Sequence, residues 1–279
     1  MPELPEIEAF ARAQRERLTE APIESVPVAH FATVKTIDPP MRSLEGQRFT
    51  DVTRRAKRLL LPASGGHTLV IHPMSAGRIN VADKHGKSAL LVVRLESGVE
   101  LVLSEPGSKR RAAAWLWSPA ELEAELAHTG PEPLDPAFTA EVLREAMQRR
   151  PGQLHAFLRD QRNVAGIGRG YSDEILHEAK LSPFARTATL DDEQVARLHA
   201  AIVRQLSDAV ERMVPLSTKG LAGHAHRGYT VHDHAGEPCQ VCGDTIRTVS
   251  FEEHTVHYCP TCQTGGRILA DRRMSKLLR

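Results

Sequence analysis

The four cysteines of this 279-residue chain constrain its fold more than any other feature, because all of them lie within one short stretch. They form two Cys-x-x-Cys pairs separated by sixteen residues: Cys239 and Cys242, then Cys259 and Cys262. The spacer has room for one β-hairpin, predicted at 246–251 and 255–258. Four thiolates complete a tetrahedral site with no open position, so we predict one structural Zn²⁺ that folds a segment too small for its own core. Redox chemistry is the alternative, but redox motifs rarely occur in pairs at this spacing.

Composition excludes several classes of protein. The chain is 41% hydrophobic, enough to bury the cores of two domains. It contains no run of about 18 apolar residues and no signal-peptide pattern at its N-terminus. Cysteines confined to one stretch are typical of metal binding in a reducing compartment. We therefore expect a cytoplasmic protein without membrane contact.

The formal net charge of +1 hides three basic segments, at 54–58, 109–111 and 267–279. Binding to a polyanion depends on the local field, so a nearly neutral protein can still contact phosphates through such segments. For any one segment, a solvated surface is the ordinary explanation. The charge pattern by itself leaves nucleic-acid binding open.

The first 117 residues begin with a helix and then become rich in strands. Apolar residues between Ile7 and Leu18 recur at helical spacing, with Gln14 as the only break in the buried face. Short apolar runs separated by glycine turns predict the strands: Val26–Val34, Arg58–Leu61, Thr68–Ile71, Ala89–Leu95, Val99–Leu103 and Ala113–Trp117. This pattern predicts a β-sandwich or flattened barrel with an N-terminal helix.

A proline-rich linker at 129–136 separates this region from a helical one. Helices are predicted at 139–149, 153–160 and 170–179, followed by a long helix from about Asp191. Residues 216–236 are rich in Gly and His and predict a loop. The fold class is thus α+β and multidomain, with the following boundaries: a sandwich domain at 1–128, a helical domain at 137–222, the zinc hairpin at 236–263 and a basic tail at 264–279.

The N-terminal sequence Met1-Pro2-Glu3-Leu4-Pro5-Glu6-Ile7-Glu8 is the most specific motif. Together with the order of domains, it resembles the formamidopyrimidine-DNA glycosylase / endonuclease VIII family over essentially the whole chain. Further segments carry the same resemblance in order: Arg54–Lys57, His72–Ser75, Ala114–Trp117, Gly130–Leu134, Val164–Gly168 and Gly236–Cys239. The resemblance implies a helix–two-turn–helix DNA-binding domain and a monomeric, nucleoid-associated enzyme. It also implies base excision repair of double-stranded DNA that contains damaged bases or abasic sites.

The chemistry of the N-terminus fits such an enzyme. Removal of Met1 would expose the secondary amine of Pro2, which is less basic than a lysine and lies ahead of a helix N-terminus that disfavours an ammonium ion. Its attack on C1′ of the sugar gives an iminium ion that cannot lose a proton from nitrogen and so favours elimination of the 3′-phosphate. Glu3 is positioned in sequence to shuttle protons. From these two residues alone, a simple helix cap would be the better explanation.

The resemblance assigns further residues to DNA contacts. Lys57 matches a lysine that contacts the lesion's phosphate and supports catalysis. Met74 matches a methionine that fills the gap left by the flipped nucleotide, and Arg111 matches the arginine of a wedge that probes the opposite base. Gly168 and the following residue, Arg169, belong to the phosphate-binding turn before a helix.

Four departures from the family pattern concern the choice of lesion. Ala112 replaces the aromatic residue of the wedge, and Arg169 replaces an asparagine. The loop that begins at Lys219, in the family a cover for the flipped purine, is shorter here. His254 replaces the zinc-finger arginine that grips a phosphate and assists δ-elimination, and His257 is a neighbouring substitute.

The function expected from the resemblance is therefore a bifunctional DNA glycosylase and abasic-site lyase, which ends in β- or β,δ-elimination. Two alternatives remain open. The enzyme is mainly an abasic-site lyase, or acts on an unusual lesion with weak 8-oxoguanine excision. Alternatively, the protein is a non-catalytic, zinc-containing binder of damaged DNA.

Overall fold

The computed structural model describes residues 1–28, 30–221, 227–251 and 254–270. The chain divides into two compact units. Unit 1 comprises Met1–Thr129 and Ala209–Arg227, and unit 2 comprises Gly130–Asp208 and the residues from Gly228 onward. Most of the predicted basic tail, 271–279, lies outside the described residues.

Unit 1 is a sandwich of two antiparallel four-stranded sheets preceded by helix α1, Leu4–Thr19. One sheet has the order β1-β6-β7-β5 and the other β2-β3-β4-β8. The strands are as follows: β1 Ile23–Ser25, β2 Thr53–Arg55, β3 Arg58–Pro62, β4 Thr68–His72, β5 Arg78–Ala82, β6 Ala89–Leu95, β7 Glu100–Ser104 and β8 Ala113–Trp117. Helix α2, Pro119–Leu126, follows β8. The predicted sandwich with an N-terminal helix is confirmed.

The sandwich core follows from the two-residue period of the strands. Leu59 and Leu61 of β3 point into the core that also contains Ile7 and Phe10 of α1. Leu60 points to the opposite face and packs with Trp117. One strand therefore contributes to two apolar layers, as alternating side chains in a pleated sheet must.

One predicted strand is wrong and three strands were missed. The described residues of Val26–Val34 form no strand: β1 precedes them, and residues Phe31–Thr33 form a 3₁₀ helix. Pro27 has no N–H to donate to a ladder, and among the described residues that follow it only isolated bridges form, such as that of Val28 with Leu91. The missed strands are the short β1, β2, which is polar throughout, and β5, whose buried Ile79 and Val81 alternate with polar residues.

Unit 2 contains three short helices, most of the long helix α6 and the cysteine hairpin. The helices are α3 Ala140–Arg149, α4 Leu154–Arg159, α5 Arg169–Glu178 and α6 Asp192–Met213, and all four were predicted within a few residues. Strands β9 Arg247–Ser250 and β10 Thr255–Tyr258 pair antiparallel and are followed by α7, Pro260–Thr264. The predicted apolar face of α6 is buried from Val195 to Met213. Within the described ranges, no helix is long and apolar enough to cross a membrane.

The half-buried side chain of His72 fixes the loop that carries Met74. His72, at the end of β4, accepts a hydrogen bond at Nδ1 from the backbone N–H of Met74, 2.9 Å away. Met74 has a φ of 52°, a left-handed conformation that costs free energy in a residue with a side chain. Burial, followed by the charges of Arg58 and Lys57, lowers the pKa of His72 to about 4. The imidazole is therefore neutral at physiological pH and remains an acceptor.

The lowered pKa of His72 predicts a specific pH dependence of stability. Its folded value of about 4 lies below the ordinary 6.5, so between these values the unfolded chain binds a proton that the folded chain does not. This contribution to stability is complete above about pH 6.5 and is lost as the pH falls towards 4. His72→Gln should reduce the loss of unfolding free energy between pH 7.5 and pH 4.5 by about 2–3 kcal/mol relative to wild type. Urea unfolding at both pH values measures it, and equal losses in both proteins would contradict the assignment.

Glu174, on α5, binds the segment 230–232 through both carboxylate oxygens. It accepts hydrogen bonds from Thr230 N (3.0 Å) and Oγ1 (2.7 Å), from Val231 N (2.9 Å) and from His232 N (2.8 Å). Only 3% of the residue is exposed. Four donated hydrogen bonds compensate the burial of this carboxylate. Glu174 therefore holds the segment 230–232 in place.

Replacing Glu174 with glutamine should destabilise the protein, because the amide NH₂ would face donors rather than acceptors. We expect a loss of about 2–4 kcal/mol in the free energy of unfolding. Glu178→Gln, on the same helix, is the matched control. Glu178 binds Gln205 and the more exposed Arg204, contacts that a glutamine oxygen can still accept in part, so the control should lose about 1 kcal/mol or less. Chemical denaturation of wild type and both variants measures the free energies of unfolding. Equal losses in the two variants would show that the four hydrogen bonds of Glu174 add no more stability than the surface contacts of Glu178.

Candidate active site and zinc centre

The residues before α1 are buried although they lie at the chain's end. Pro2 is buried and Glu3 is 3% exposed, whereas Met1 is 44% exposed. Glu3 is the N-cap of α1, and its backbone N–H donates to Oε2 of Glu6, 3.0 Å away. Pro5 lies in the first turn, where its missing N–H costs nothing. The helix start therefore holds Pro2 and Glu3 in a fixed place within unit 1.

A buried ion pair fastens this N-terminus to a distant part of unit 1. Arg227 Nε pairs with Oε1 of Glu6, and Arg227 Nη2 donates to the carbonyl oxygen of Met1 at 3.1 Å. Both side chains are at least 93% buried. Burial raises the pKa of Glu6, and the charge of Arg227 opposes that rise. Arg227 was not predicted from the sequence. The one available signal was that Glu6 lies among apolar residues and so needs a cationic partner, but this does not say which residue the partner is.

Lys57 is likewise buried in unit 1, with 5% exposed. It lies in the tight turn between β2 and β3, next to Ala56, whose φ is 52°. Arg54 of β2 pairs with Glu8 of α1 at 3.1 Å and is itself 5% exposed. Burial, which alone would raise the pKa of Glu8, is outweighed by Arg54 and Arg12, so that pKa is lowered. This pair connects the strand that carries the Lys57 turn to the helix that carries Pro2 and Glu3.

The remaining candidate residues of unit 1 lie on loops. Met74 is half-buried after β4, while Arg111 and Lys219 are exposed. Ala112 is only 2% exposed and belongs to the sandwich core. The carboxylate of Glu105 holds both ends of this turn, accepting from Arg111 N at 2.6 Å and Ala112 N at 2.8 Å. Ala112, predicted to replace the aromatic residue of a wedge, is therefore a core residue.

Gly168 and Arg169 belong to unit 2. Gly168 is the N-cap of α5 and Arg169 is the first, exposed residue of that helix. The N–H of Gly166 donates to Oε1 of Gln161 at 2.8 Å, so this amide is already used within the turn. A Cβ on Gly170 would lie 2.1 Å from the hydroxyl of Tyr229, which explains why a glycine follows Arg169.

His254 lies between β9 and β10, stacked on Phe251 with 4.7 Å between ring centroids. The ring of His155 is also parallel to that of His254, with 6.0 Å between ring centroids. Burial, then the charges of Arg159, His155 and Arg169, lower the pKa of His254. The permanent positive charge beside the hairpin therefore belongs to Arg159 and Arg169 rather than to His254.

The four cysteines converge in unit 2 as predicted. The Sγ atoms of Cys242 and Cys259 are 3.4 Å apart, and those of Cys239 and Cys262 are 3.9 Å apart. Thiolates in a tetrahedral zinc site are separated by about 3.8 Å. Burial raises the pKa of Cys259 to about 11, so a full set of thiolates here requires a cation.

The surroundings of the cysteines fit a structural metal. Gly243, with a φ of 78°, allows the tight first turn. Asp244 ties that turn to α7 by accepting from Thr261 N and Oγ1 at 3.2 and 2.9 Å. His177 of α5 lies 3.3 Å from Cys239 Sγ. When bound, Zn²⁺ holds the hairpin together, and with four protein thiolates it has no position for a substrate.

Comparison with known families identifies all three parts of the chain. Residues 1–115 match the formamidopyrimidine-DNA glycosylase N-terminal domain. Residues 129–218 match the H2TH domain of the same glycosylase, and residues 236–265 match the zinc finger found in FPG and IleRS.

Similar proteins span nearly the whole chain. The formamidopyrimidine-DNA glycosylase of Chloroflexus aurantiacus is 33% identical over 94% of this chain and 98% of its own length. An uncharacterised formamidopyrimidine-DNA glycosylase-like protein of Mycobacterium tuberculosis is 48% identical over 54% of this chain and 94% of its own. The Lactococcus lactis Fpg, solved with DNA containing an abasic site, superimposes with a TM-score of 0.84 at 25% identity, covering 94% of this chain and 99% of that one. The chain therefore belongs to the formamidopyrimidine-DNA glycosylase / endonuclease VIII family of DNA glycosylases.

Proposed function

We propose that the protein is a bifunctional DNA glycosylase and abasic-site lyase with Pro2 as its nucleophile. Its substrate is double-stranded DNA containing a damaged base or an abasic site, consistent with the DNA complexes of its structural relatives. The main observation behind the proposal is that the N-terminal residues are buried and held in place by side chains. Pro2 and Glu3 are buried, and Arg227 and Glu6 hold the backbone on either side of them. A terminus that served only as a helix cap would not need a buried ion pair from a distant loop.

Removal of Met1 is the first requirement, because the nitrogen of Pro2 is otherwise an amide without a basic lone pair. Met1 is 44% exposed and so accessible to an aminopeptidase. Its loss also removes the carbonyl group that accepts from Arg227 Nη2. The guanidinium then lies beside the new amine. A neighbouring positive charge lowers the pKa of an amine, so more of the amine is unprotonated at neutral pH.

The reaction proceeds in two stages. The Pro2 nitrogen attacks C1′ of the damaged nucleotide, the bond from C1′ to the base breaks, and the base leaves with its electron pair and a proton. Ring opening of the sugar gives an iminium ion between Pro2 and C1′. Loss of a proton from C2′ then expels the 3′-phosphate, which is β-elimination. We assign the proton transfers to Glu3, which immediately follows the nucleophile in sequence.

The other residues bind the DNA strand in this proposal. Lys57 contacts a phosphate of the damaged strand, and Met74, presented by the left-handed turn beside His72, fills the gap left by the flipped nucleotide. Arg111 and Lys219, both exposed, add contacts from unit 1. In unit 2, Gly168 and Arg169 bind phosphate at the start of α5. His254 contributes through its stacked ring, and the arginines beside it supply the positive charge.

A specific observation supports the second candidate, a lyase with weak 8-oxoguanine excision. The wedge position holds Ala112, which is buried in the core and leaves no aromatic side chain to probe the opposite base. The loop that covers a flipped purine in the family starts at Lys219, and its residues 222–226 lie outside the described ranges. Attack on the sugar needs neither feature. Selection of an oxidised purine needs both.

Borohydride trapping tests the nucleophile. With abasic-site DNA and borohydride, wild type should form a covalent adduct, because the iminium ion is reduced to a stable amine. A form with one extra residue fixed before Pro2 keeps every side chain but turns the nucleophilic nitrogen into an amide, and it should form no adduct. Pro2→Gly should lose most of the adduct.

Pro5→Ala is the matched control, since it removes a proline from the same helix start but leaves the adduct unchanged. An adduct that persists in the extended form would show that another amine is the nucleophile, and Lys57 would be the first candidate. A well-folded wild type without any adduct would instead support the non-catalytic, damage-binding alternative.

A panel of lesions tests substrate choice. Excision of 8-oxoguanine opposite cytosine should be slower than strand cleavage at an abasic site by about tenfold or more, the effect of about 1.4 kcal/mol in the barrier. Single-turnover rates on duplexes that differ only at the lesion measure this ratio. Fast excision of 8-oxoguanine that depends on an opposite cytosine would show that the wedge is supplied by a residue other than Ala112.

A further inference from the structure

Unit 2 contains a second group of metal-ligating side chains, separate from the cysteines. We call this group the histidine–aspartate cluster. Its members are Asp173 of α5, His155 of α4, His232 of the segment 230–232 and His257 of β10. Asp173 is 1% exposed, His155 3% and His257 7%. The side chain of His232 is 13% exposed. The proposed repair reaction makes no use of this cluster.

Three imidazoles face one carboxylate. His232 Nδ1 is 2.6 Å and His257 Nδ1 is 3.1 Å from Oδ2 of Asp173. On the other oxygen, His155 Nε2 is 3.2 Å from Oδ1. The ligand atoms of Asp173, His232 and His257 lie within 4.8 Å of one another, close enough for one ion to reach all three.

The hydrogen bonds of the cluster are incomplete. Although His155 Nε2 and Asp173 Oδ1 are only 3.2 Å apart, neither atom has a hydrogen-bond partner among the described residues. A buried polar atom without a partner is destabilising. Both atoms are of types that bind metals, and the carboxylate of Asp173 lies within 4.8 Å of both Nδ1 atoms.

The carboxylate of Asp173 is buried among histidines. Among the described residues, the ion pairs of Asp173 are with histidines alone, not with lysine or arginine. A cation bound here would compensate the charge of this buried carboxylate.

Asp233 occupies the place of an outer carboxylate. Its Oδ1 is 3.7 Å from Nε2 of His232 and 4.0 Å from Nε2 of His257, on the opposite side of these rings from Asp173. A histidine that binds a metal through one nitrogen usually donates its other N–H to a carboxylate or carbonyl. Asp233 lies near the nitrogen of both rings that would need such a partner, at distances longer than a hydrogen bond.

We propose that Asp173, His232 and His257 bind a second metal ion, Zn²⁺ or a divalent ion of similar chemistry. Two imidazole nitrogens and one carboxylate oxygen are an established donor set for zinc, and they leave a fourth position for water. Ligand atoms of tetrahedral zinc are about 3.3 Å apart, so the two Nδ1 atoms need to separate from Asp173 Oδ2 by less than about 1 Å. The ion would join α5, β10 and the segment 230–232, with His155 of α4 beside the carboxylate.

Metal content per chain tests the proposal without reference to activity. Full-length protein equilibrated with Zn²⁺ and freed of loosely bound ions should contain two zinc ions per chain by mass spectrometry. Asp173→Asn and His232→Gln should each contain one. His199→Gln is the matched control: this histidine of α6 makes a 2.7 Å hydrogen bond to the carbonyl of Phe138, and the variant should retain two.

Cobalt substitution shows which site is lost. The sulfur-to-cobalt charge-transfer bands of the four-cysteine site should be unchanged in both cluster variants, which also shows that the hairpin is folded. Weaker bands typical of nitrogen and oxygen ligands should disappear. One zinc ion per chain in wild type with intact sulfur bands, or two in both cluster variants, would overturn the proposal. Neither measurement depends on whether Pro2 is the nucleophile.

Discussion

Burying a carboxylate is costly unless donors or a cation accompany it, and this constraint organises the parts of the chain that matter for function. Glu6 is buried at the start of α1 and binds Arg227. Glu105 is buried below the turn at 111–112 and holds two backbone amides. Glu174 holds the segment 230–232 with four hydrogen bonds, and Asp173 beside it collects three histidines. Glu6, Glu105 and Glu174 each fix a segment that has little regular structure of its own.

Local patterns in the sequence were enough to predict most of the regular structure. The long helix α6 was predictable because its apolar residues recur every three or four positions, and the hairpin because the cysteines bracket it. The error at 26–34 arose because hydrophobic residues outweighed Pro27, whose missing N–H breaks the ladder. Strand β2 is polar on both faces, because its residues are only half-buried and its Arg54 pairs with Glu8 of α1. Nothing in its composition distinguishes it from a loop.

The candidate site was only partly predictable, for a different reason. Pro2, Glu3 and Lys57 stand in short motifs, so resemblance located them. Arg227 lies in a loop and meets Glu6 across more than 200 residues of sequence, and no local pattern encodes such a pairing. The same holds for Asp173 and His155, which are unremarkable on their separate helices. Contacts of this kind follow from the folded arrangement of elements, and sequence reasoning can at most note that a buried acid requires a partner.

His254, predicted to replace an arginine of the family pattern, lies beside the histidine–aspartate cluster of unit 2. Its ring stacks against that of His155, which is a member of the cluster. A guanidinium at 254 would add a third permanent positive charge beside Arg159 and Arg169, whose charges, after burial, lower the pKa of His254. A flat imidazole with a lowered pKa avoids this repulsion. The neighbours of position 254 therefore favour a histidine: the positive charge stays on the two arginines, and the hairpin gains a stacked contact with helix α4.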